Sequence, residues 1–172
     1  MDVRHVASRL AESAVAIQAL VSGIDDQQAR CRPDPDSWSV VEVVNHLWDE
    51  EREDFRQRID YTLHRPGETW PPIDPSGWVT ARRYNERDLA ESLAGLLSAR
   101  DESLAWLRGL RSPDWAATYQ APWGEITAGD LLASWVAHDL LHLRQLVELR
   151  WFVTTRELEP YRVAYAGEWD GV

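Results

Sequence analysis

The sequence contains no lysine, since all 18 of its basic residues are arginine. Without lysine, the chain cannot form a lysine Schiff base with a carbonyl substrate or supply the lysine of a phosphate-binding P-loop. It also lacks the Gly-x-Gly-x-x-Gly motif of dinucleotide-binding folds and the Gly-x-Ser-x-Gly motif of serine hydrolases. Nucleotide cofactors and serine-based hydrolysis therefore have no support in the sequence.

Cysteine is almost absent as well. The single residue, Cys31, excludes an internal disulfide and a metal cage built from thiolates. It lies between Arg30 and Arg32, a setting that can make a thiol reactive. We interpret it as a spectator thiol in a loop.

Basic residues are outnumbered by acidic ones, 18 to 29, and the formal net charge is −11. This balance argues against binding to nucleic acid or to an anionic membrane surface, because both need a positive patch. No apolar run approaches the length of a membrane span. The start of the sequence, residues 1–5, lacks the pattern of a secretory signal, which predicts a cytoplasmic protein. The length of 172 residues fits one domain, residues 1–172.

Apolar residues recur at helical spacing in four long stretches. A capping box, Ser39 with Glu42, marks the start of the second stretch, and Thr127 with Asp130 marks the start of the fourth. Gly23 is a plausible stop for the first. The predicted helices cover residues 3–22, 40–63, 88–110 and 128–149.

These helices predict an all-α fold, a four-helix bundle. Residues 64–77 are rich in proline and glycine, so we expect a long crossover connection between helices 2 and 3. A short helix is expected within 78–86, and residues 115–126 are interpreted as a loop or a short extended piece. The tail, 150–172, is expected to cover the bundle or a partner subunit.

Helix 4 carries His138 and His142, four residues apart and therefore on one face. Two imidazoles in this arrangement can bind one metal ion. Two histidines at the edge of the core, bonded to carbonyl groups, are the alternative. Helix 2 offers His46 at a similar depth in the bundle. Three imidazoles with one open position are typical of a catalytic metal site.

Helix 2 also carries an acidic run, residues 49–54, which is typical of a solvated helix face. Glu50 lies one turn beyond His46, and we consider it a candidate base or extra metal ligand. In helix 3, Arg100 interrupts a stripe of leucines. We expect it to pair with a carboxylate at the edge of the bundle.

The helix start at Trp38-Ser39, the segment Val44-Asn45-His46-Leu47 and the run from His138 to Gln145 resemble the DinB/YfiT-like superfamily. The resemblance spans nearly the whole chain. It implies a four-helix bundle, often a homodimer, that holds a divalent metal through His46, His138 and His142. By its ligand chemistry, a three-histidine site suits zinc, nickel and iron alike. The resemblance also implies a small-molecule substrate, since some relatives are thiol-dependent S-transferases and one is a maleylpyruvate isomerase that uses mycothiol.

Three functional hypotheses remain. The first is a metal-dependent enzyme that acts on a small molecule and activates a low-molecular-weight thiol. The second is a zinc hydrolase, because residues 138–142 have the spacing of His-Glu-x-x-His with Asp139 in the glutamate position; the shorter carboxylate weakens that match. The third is a non-enzymatic binding or dimeric interaction protein with a vestigial metal site.

Overall fold

The computed structural model describes residues 2–169 of the chain. This part contains seven α-helices and one β-hairpin. Two 3₁₀ turns complete the backbone, at Tyr84–Glu86 and Ala164–Ala166. The helices and strands are α1 (Val3–Val21), α2 (Asp26–Arg30), α3 (Val40–Glu53), α4 (Phe55–His64), α5 (Pro75–Ala81), α6 (Leu89–Gly109), β1 (Thr118–Ala121), β2 (Gly124–Thr127) and α7 (Ala128–Glu157).

The bundle is formed by α1, α3, α6 and α7, which confirms the predicted all-α class. Helix α3 packs mainly on α6, α6 also packs on α1, and α1 packs on α7. The direct contact between α3 and α7 is the least extensive of these four, while α4 lies against α7. Gly95 allows the α3–α6 contact, because the Trp48 ring occupies the space that a Cβ atom would need. None of the helices in residues 2–169 has the length and apolar content needed to cross a bilayer.

Local signals set the helix ends as expected. Ser39 and Glu42 form the capping box of α3, and Thr127 and Asp130 form that of α7. Helix α1 ends at Val21, just before Gly23, whose φ of 74° suits glycine.

The predicted second helix, residues 40–63, is not continuous. At Asp54 the backbone leaves the helical region, with φ −119° and ψ −93°, and divides the segment into α3 and α4. The break redirects the chain so that Phe55 and Ile59 turn into the core. Phe55 then stacks on Trp135 of α7, with ring centroids 5.8 Å apart.

The fourth predicted helix, residues 128–149, is too short, because α7 continues to Glu157. Val153 is buried in this extension. Beyond it the chain folds back far enough for Trp169 to stack on Trp151, with ring centroids 5.0 Å apart. The end of the predicted tail, 170–172, lies outside the described residues.

The connections also contain more regular structure than expected. Residues 115–126 include an antiparallel hairpin with Ala121 opposite Gly124, where the sequence shows no convincing strand pattern. Residues 65–88 carry α5 and the 3₁₀ turn. The predicted short helix within 78–86 overlaps α5, which begins earlier, at Pro75. The short helix α2 was not predicted; a capping box of Asp25 and Gln28 begins it.

The core has two apolar clusters separated by a layer of polar side chains. On α1, Leu10 belongs to one cluster and Ile17 to the other. On α7, Trp135 and Leu146 are divided in the same way. The buried polar residues between the clusters include Ser13, Glu51, Arg100 and Asp139.

Candidate metal centre

Three histidines from two helices meet at this polar layer. His46 of α3 is buried, and His138 and His142 of α7 are half-buried. The Nε2 atom of His138 lies 3.3 Å from that of His46 and 3.1 Å from that of His142. One candidate ligand atom from each ring lies within 4.8 Å of the other two. The structure therefore brings together the three residues named from the sequence.

The spacing of these nitrogens fits a single metal ion. With metal–nitrogen bonds of 2.0–2.1 Å, tetrahedral geometry separates two ligand atoms by about 3.3–3.4 Å. Right-angled ligands with the same bond lengths are about 2.8–3.0 Å apart. The observed 3.1 and 3.3 Å lie in this range. The donor set thus suits a divalent metal in general, without selecting one.

The rings are also in the protonation state that a metal requires. Burial, with the neighbouring imidazoles, lowers the pKa of His46 and of His138 to about 3. Burial also lowers the pKa of His142. All three rings are therefore neutral at pH 7, the form in which imidazole binds metals.

One side chain fixes the orientation of a histidine ring. His142 Nδ1 lies 2.8 Å from the amide oxygen of Gln145. Because this oxygen only accepts hydrogen bonds, Nδ1 carries the proton and Nε2 presents a lone pair to the cluster. His46 Nδ1, by contrast, is buried and has no hydrogen-bond partner among residues 2–169.

Aromatic side chains enclose the cluster on two sides. The ring of Trp38 lies 4.9 Å from that of His46 and is parallel to that of His142 at 6.2 Å. Phe55 lies 5.1 Å from the ring of His138. The break at Asp54 is thus what places an aromatic ring beside the centre.

The predicted solvated acidic face is wrong for most of the run 49–54. Asp49, Glu50, Glu51 and Asp54 are all buried. Carboxylates are rarely buried unless they are paired, and pairing explains most of these. Asp49, for example, accepts a hydrogen bond from Arg82 at 2.5 Å and from Tyr84.

Glu50, the candidate base or extra ligand, has a different environment. It is 4% exposed, and its Oε1 atom has no hydrogen-bond partner among the described residues. Burial and the adjacent Asp54 raise its pKa to about 9, so that it holds a proton at pH 7. Asp54 in turn lies 2.8 Å from the guanidinium of Arg58. The structure places Glu50 one helical turn beyond His46 on the same helix.

Arg100 does not lie at the edge of the bundle, as expected from the sequence, but in its centre. It is 2% exposed and pairs with Asp139 at 2.6 Å and with Glu51 at 2.8 Å. Both oxygens of Asp139 accept hydrogen bonds from Arg100. Arg100 thus occupies both oxygens of the Asp139 carboxylate, which argues against its use as the base of a His-Glu-x-x-His peptidase.

The remaining histidine and thiol candidates lie elsewhere. His64 is exposed, with Nδ1 3.0 Å from Asp60. Near Cys31, Arg30 bonds to Asp26 and Arg32 bonds to Glu42. Neither arginine is directed at the thiol, which supports its interpretation as a spectator.

Three neighbours of the centre were not recognised as such from the sequence. The position of Gln145, three residues after His142, is a signal that could have indicated a partner for that ring. Trp38 was noted only as part of a helix start. Phe55 falls within the predicted second helix, residues 40–63, and no pattern in the sequence places it beside His138.

Comparison with known proteins adds two findings. Residues 9–146 match the sequence model of the DinB superfamily. The structure resembles YfiT from Bacillus subtilis, described as a probable metal-dependent hydrolase with an unusual four-helix bundle topology. The TM-score is 0.77 and the sequence identity 23%, over 88% of this chain and 87% of that one. No curated protein matches the sequence significantly.

Proposed function

The chain belongs to the DinB superfamily, and from that premise we propose that it is a divalent-metal-dependent enzyme acting on a small molecule. The proposal rests on one observation, the convergence of three neutral imidazoles. Their Nε2 atoms are 3.1 and 3.3 Å apart in two of the three pairs. We propose His46, His138 and His142 as the ligands.

When bound, a divalent metal supplies Lewis-acid chemistry, because it lowers the pKa of a water or thiol that reaches its open position. The protein side chains provide three ligands, which leaves such a position available. His138 and His142 remain partly exposed, so a small molecule can approach them. Zinc, nickel and iron all suit a three-imidazole site.

Glu50 is our candidate for the group that accepts and returns a proton. Its carboxyl is buried and is protonated at pH 7 in the metal-free protein, because its pKa is about 9. A cation nearby favours the ionised form of a carboxyl group, so metal binding would convert Glu50 to a base or an added ligand. Asp54 contributes to the raised pKa of Glu50 and is itself paired with Arg58.

Two reactions fit these residues, and they differ in the nucleophile. Attack by water gives hydrolysis, the activity that the description of YfiT suggests for that protein. Attack by a low-molecular-weight thiol on an electrophile gives S-transfer, as the resemblance to thiol-dependent relatives implies. The aromatic walls formed by Trp38 and Phe55 suit a substrate with an apolar part in either case.

The experiment that tests this proposal is a turnover screen with two arms. One arm offers activated esters and amides, and the other pairs small thiols with electrophilic acceptors. We expect turnover in one arm that disappears with EDTA, returns with added metal and is absent in His138→Ala. Absence of turnover in both arms, with metal bound, would instead favour a non-enzymatic binding protein.

We also propose that the protein is a homodimer. Leu140, Leu141 and Val147 are exposed on α7 at 59%, 61% and 38%. Burial of these side chains against a second copy would remove apolar surface from water. Light scattering during gel filtration tests this: a dimer of the wild type should become monomeric in Leu140→Glu/Leu141→Glu. A monomeric wild type would refute it.

A further inference from the structure

Arg100 makes the most complete set of polar contacts in the buried layer. Its Nε–H donates to Glu51 at 2.9 Å, and one Nη1–H donates to the carbonyl of Leu10 at 2.8 Å. The other three N–H groups face Asp139, at 2.6 and 3.0 Å, and Glu51, at 2.8 Å. Four of the five guanidinium N–H groups therefore donate hydrogen bonds to buried acceptors, and Nη2 also lies in ion-pair contact with Glu51.

These contacts connect all four helices of the bundle. Glu51 belongs to α3, Arg100 to α6, Asp139 to α7, and Leu10 to α1. Trp135 of α7 adds a direct link to α3, with its Nε1–H donating to Glu51 at 3.2 Å. Helices α6 and α7 make little direct contact otherwise. Arg100 thus links the four helices in the middle of the core.

Two of the helices that Arg100 contacts, α3 and α7, carry the histidines. Asp139 directly follows His138, and Glu51 lies five residues after His46, about 7.5 Å along α3. Direct packing between α3 and α7 is sparse. The separation of His46 from His138 and His142 therefore depends on contacts made through other groups.

A buried ion cluster is seldom the most stable way to fill a core, because apolar residues of similar volume often serve as well or better. Its occurrence here, in the same layer as the three imidazoles, indicates a geometric role. We propose that Arg100, Glu51 and Asp139 are positioning residues that hold α3 and α7 at the separation at which the histidine nitrogens converge. This inference rests on the proposed metal-binding function.

Arg100→Lys tests this positioning role while it keeps a positive charge at position 100. An ammonium group has three donors and no planar fork, so it cannot hold both carboxylates in their present arrangement. Glu51→Gln is the second variant, and it carries the test if Arg100→Lys does not fold. Arg82→Lys is the matched control, because Arg82 also joins two carboxylates, Asp49 and Glu53, but both belong to α3.

The first measurement is affinity for zinc or cobalt, by competition with a chelator, at a temperature where every variant is folded. We expect Arg100→Lys and Glu51→Gln to bind metal at least about tenfold more weakly and to alter the absorption spectrum of bound cobalt. Arg82→Lys should stay within about twofold of the wild type. Wild-type affinity and a wild-type spectrum in both Arg100→Lys and Glu51→Gln would overturn the proposal.

The second measurement uses the metal-free protein. Spin labels at Arg52→Cys on α3 and Arg144→Cys on α7, in a Cys31→Ser background, report the distance between the two helices. We expect a broader or shifted distance distribution in Arg100→Lys but not in Arg82→Lys. An unchanged distribution in Arg100→Lys would contradict the proposal that Arg100 holds α3 and α7 at a fixed separation. A wild type that binds no metal would refute the proposed function, while this distance measurement would still decide the role of Arg100.

Discussion

Replacement of Glu50 by glutamine should stabilise the metal-free protein, by an amount that grows with pH. Glu50 is 4% exposed, and burial together with Asp54 raises its pKa from 4.5 to about 9. Because the folded pKa is raised, the stability that the protonated carboxyl contributes is fully present below about pH 4.5 and is lost as the pH rises toward 9. Glutamine keeps the shape of the side chain but has no proton to lose.

The magnitude follows from this difference in pKa. Above pH 4.5, folding requires Glu50 to take up a proton that the unfolded chain has released, at about 1.4 kcal/mol per pH unit. At pH 7 this amounts to about 3.5 kcal/mol as an upper limit. We expect Glu50→Gln to recover about 1–3 kcal/mol at pH 7 and almost nothing at pH 4.5.

Urea unfolding of the metal-free wild type and variant, at several pH values between about 5 and 8, measures this effect. The matched control is Glu68→Gln, because Glu68 is exposed in the loop after α4. Its free energy of unfolding should differ little from that of the wild type at every pH. Parallel pH profiles for Glu50→Gln and the wild type would refute the buried, protonated state of Glu50.

Three further predictions concern neighbours of the centre. Gln145→Ala should weaken metal binding by about 10–100-fold, because it frees the ring of His142; a chelator titration measures this, with exposed Gln27→Ala as the control expected to have no effect. Phe55→Ala should lower the free energy of unfolding by about 3–5 kcal/mol, since it leaves a cavity beside Trp135; a loss below 1 kcal/mol in urea unfolding would contradict this packing. At pH 7, calorimetry in buffers of different ionisation enthalpy should detect about one proton released on metal binding. Glu50→Gln should abolish this proton release, and an unchanged release in the variant would exclude Glu50 as its source.

Local patterns were sufficient for the starts of two long helices and for the pair of histidines on α7. The capping boxes at Ser39 and Thr127 predicted the starts of α3 and α7 correctly. The four-residue spacing of His138 and His142 predicted a shared face, since that geometry depends only on the helix. The proximity of His46 followed from its depth in a bundle, and the structure indeed brings the three rings together.

Long-range pairing was not predictable in the same way. The contacts of Arg100 with Glu51 and Asp139 join residues 49 and 39 positions apart, and no periodicity in the sequence connects them. The acidic run looked solvated because charged residues usually are. The helix break at Asp54 was not predictable from the sequence either, because the helical spacing of apolar residues continues past it to Ile59.

The most direct test of the metal centre is the metal content of protein purified without an affinity tag. Wild type, His138→Ala and His64→Ala should be compared, since His64 is exposed and bonded only to Asp60 among its described contacts. We expect about one divalent ion per chain in the wild type and in His64→Ala, and none in His138→Ala. A wild type free of metal, or an unchanged metal content in His138→Ala, would contradict the three-histidine site.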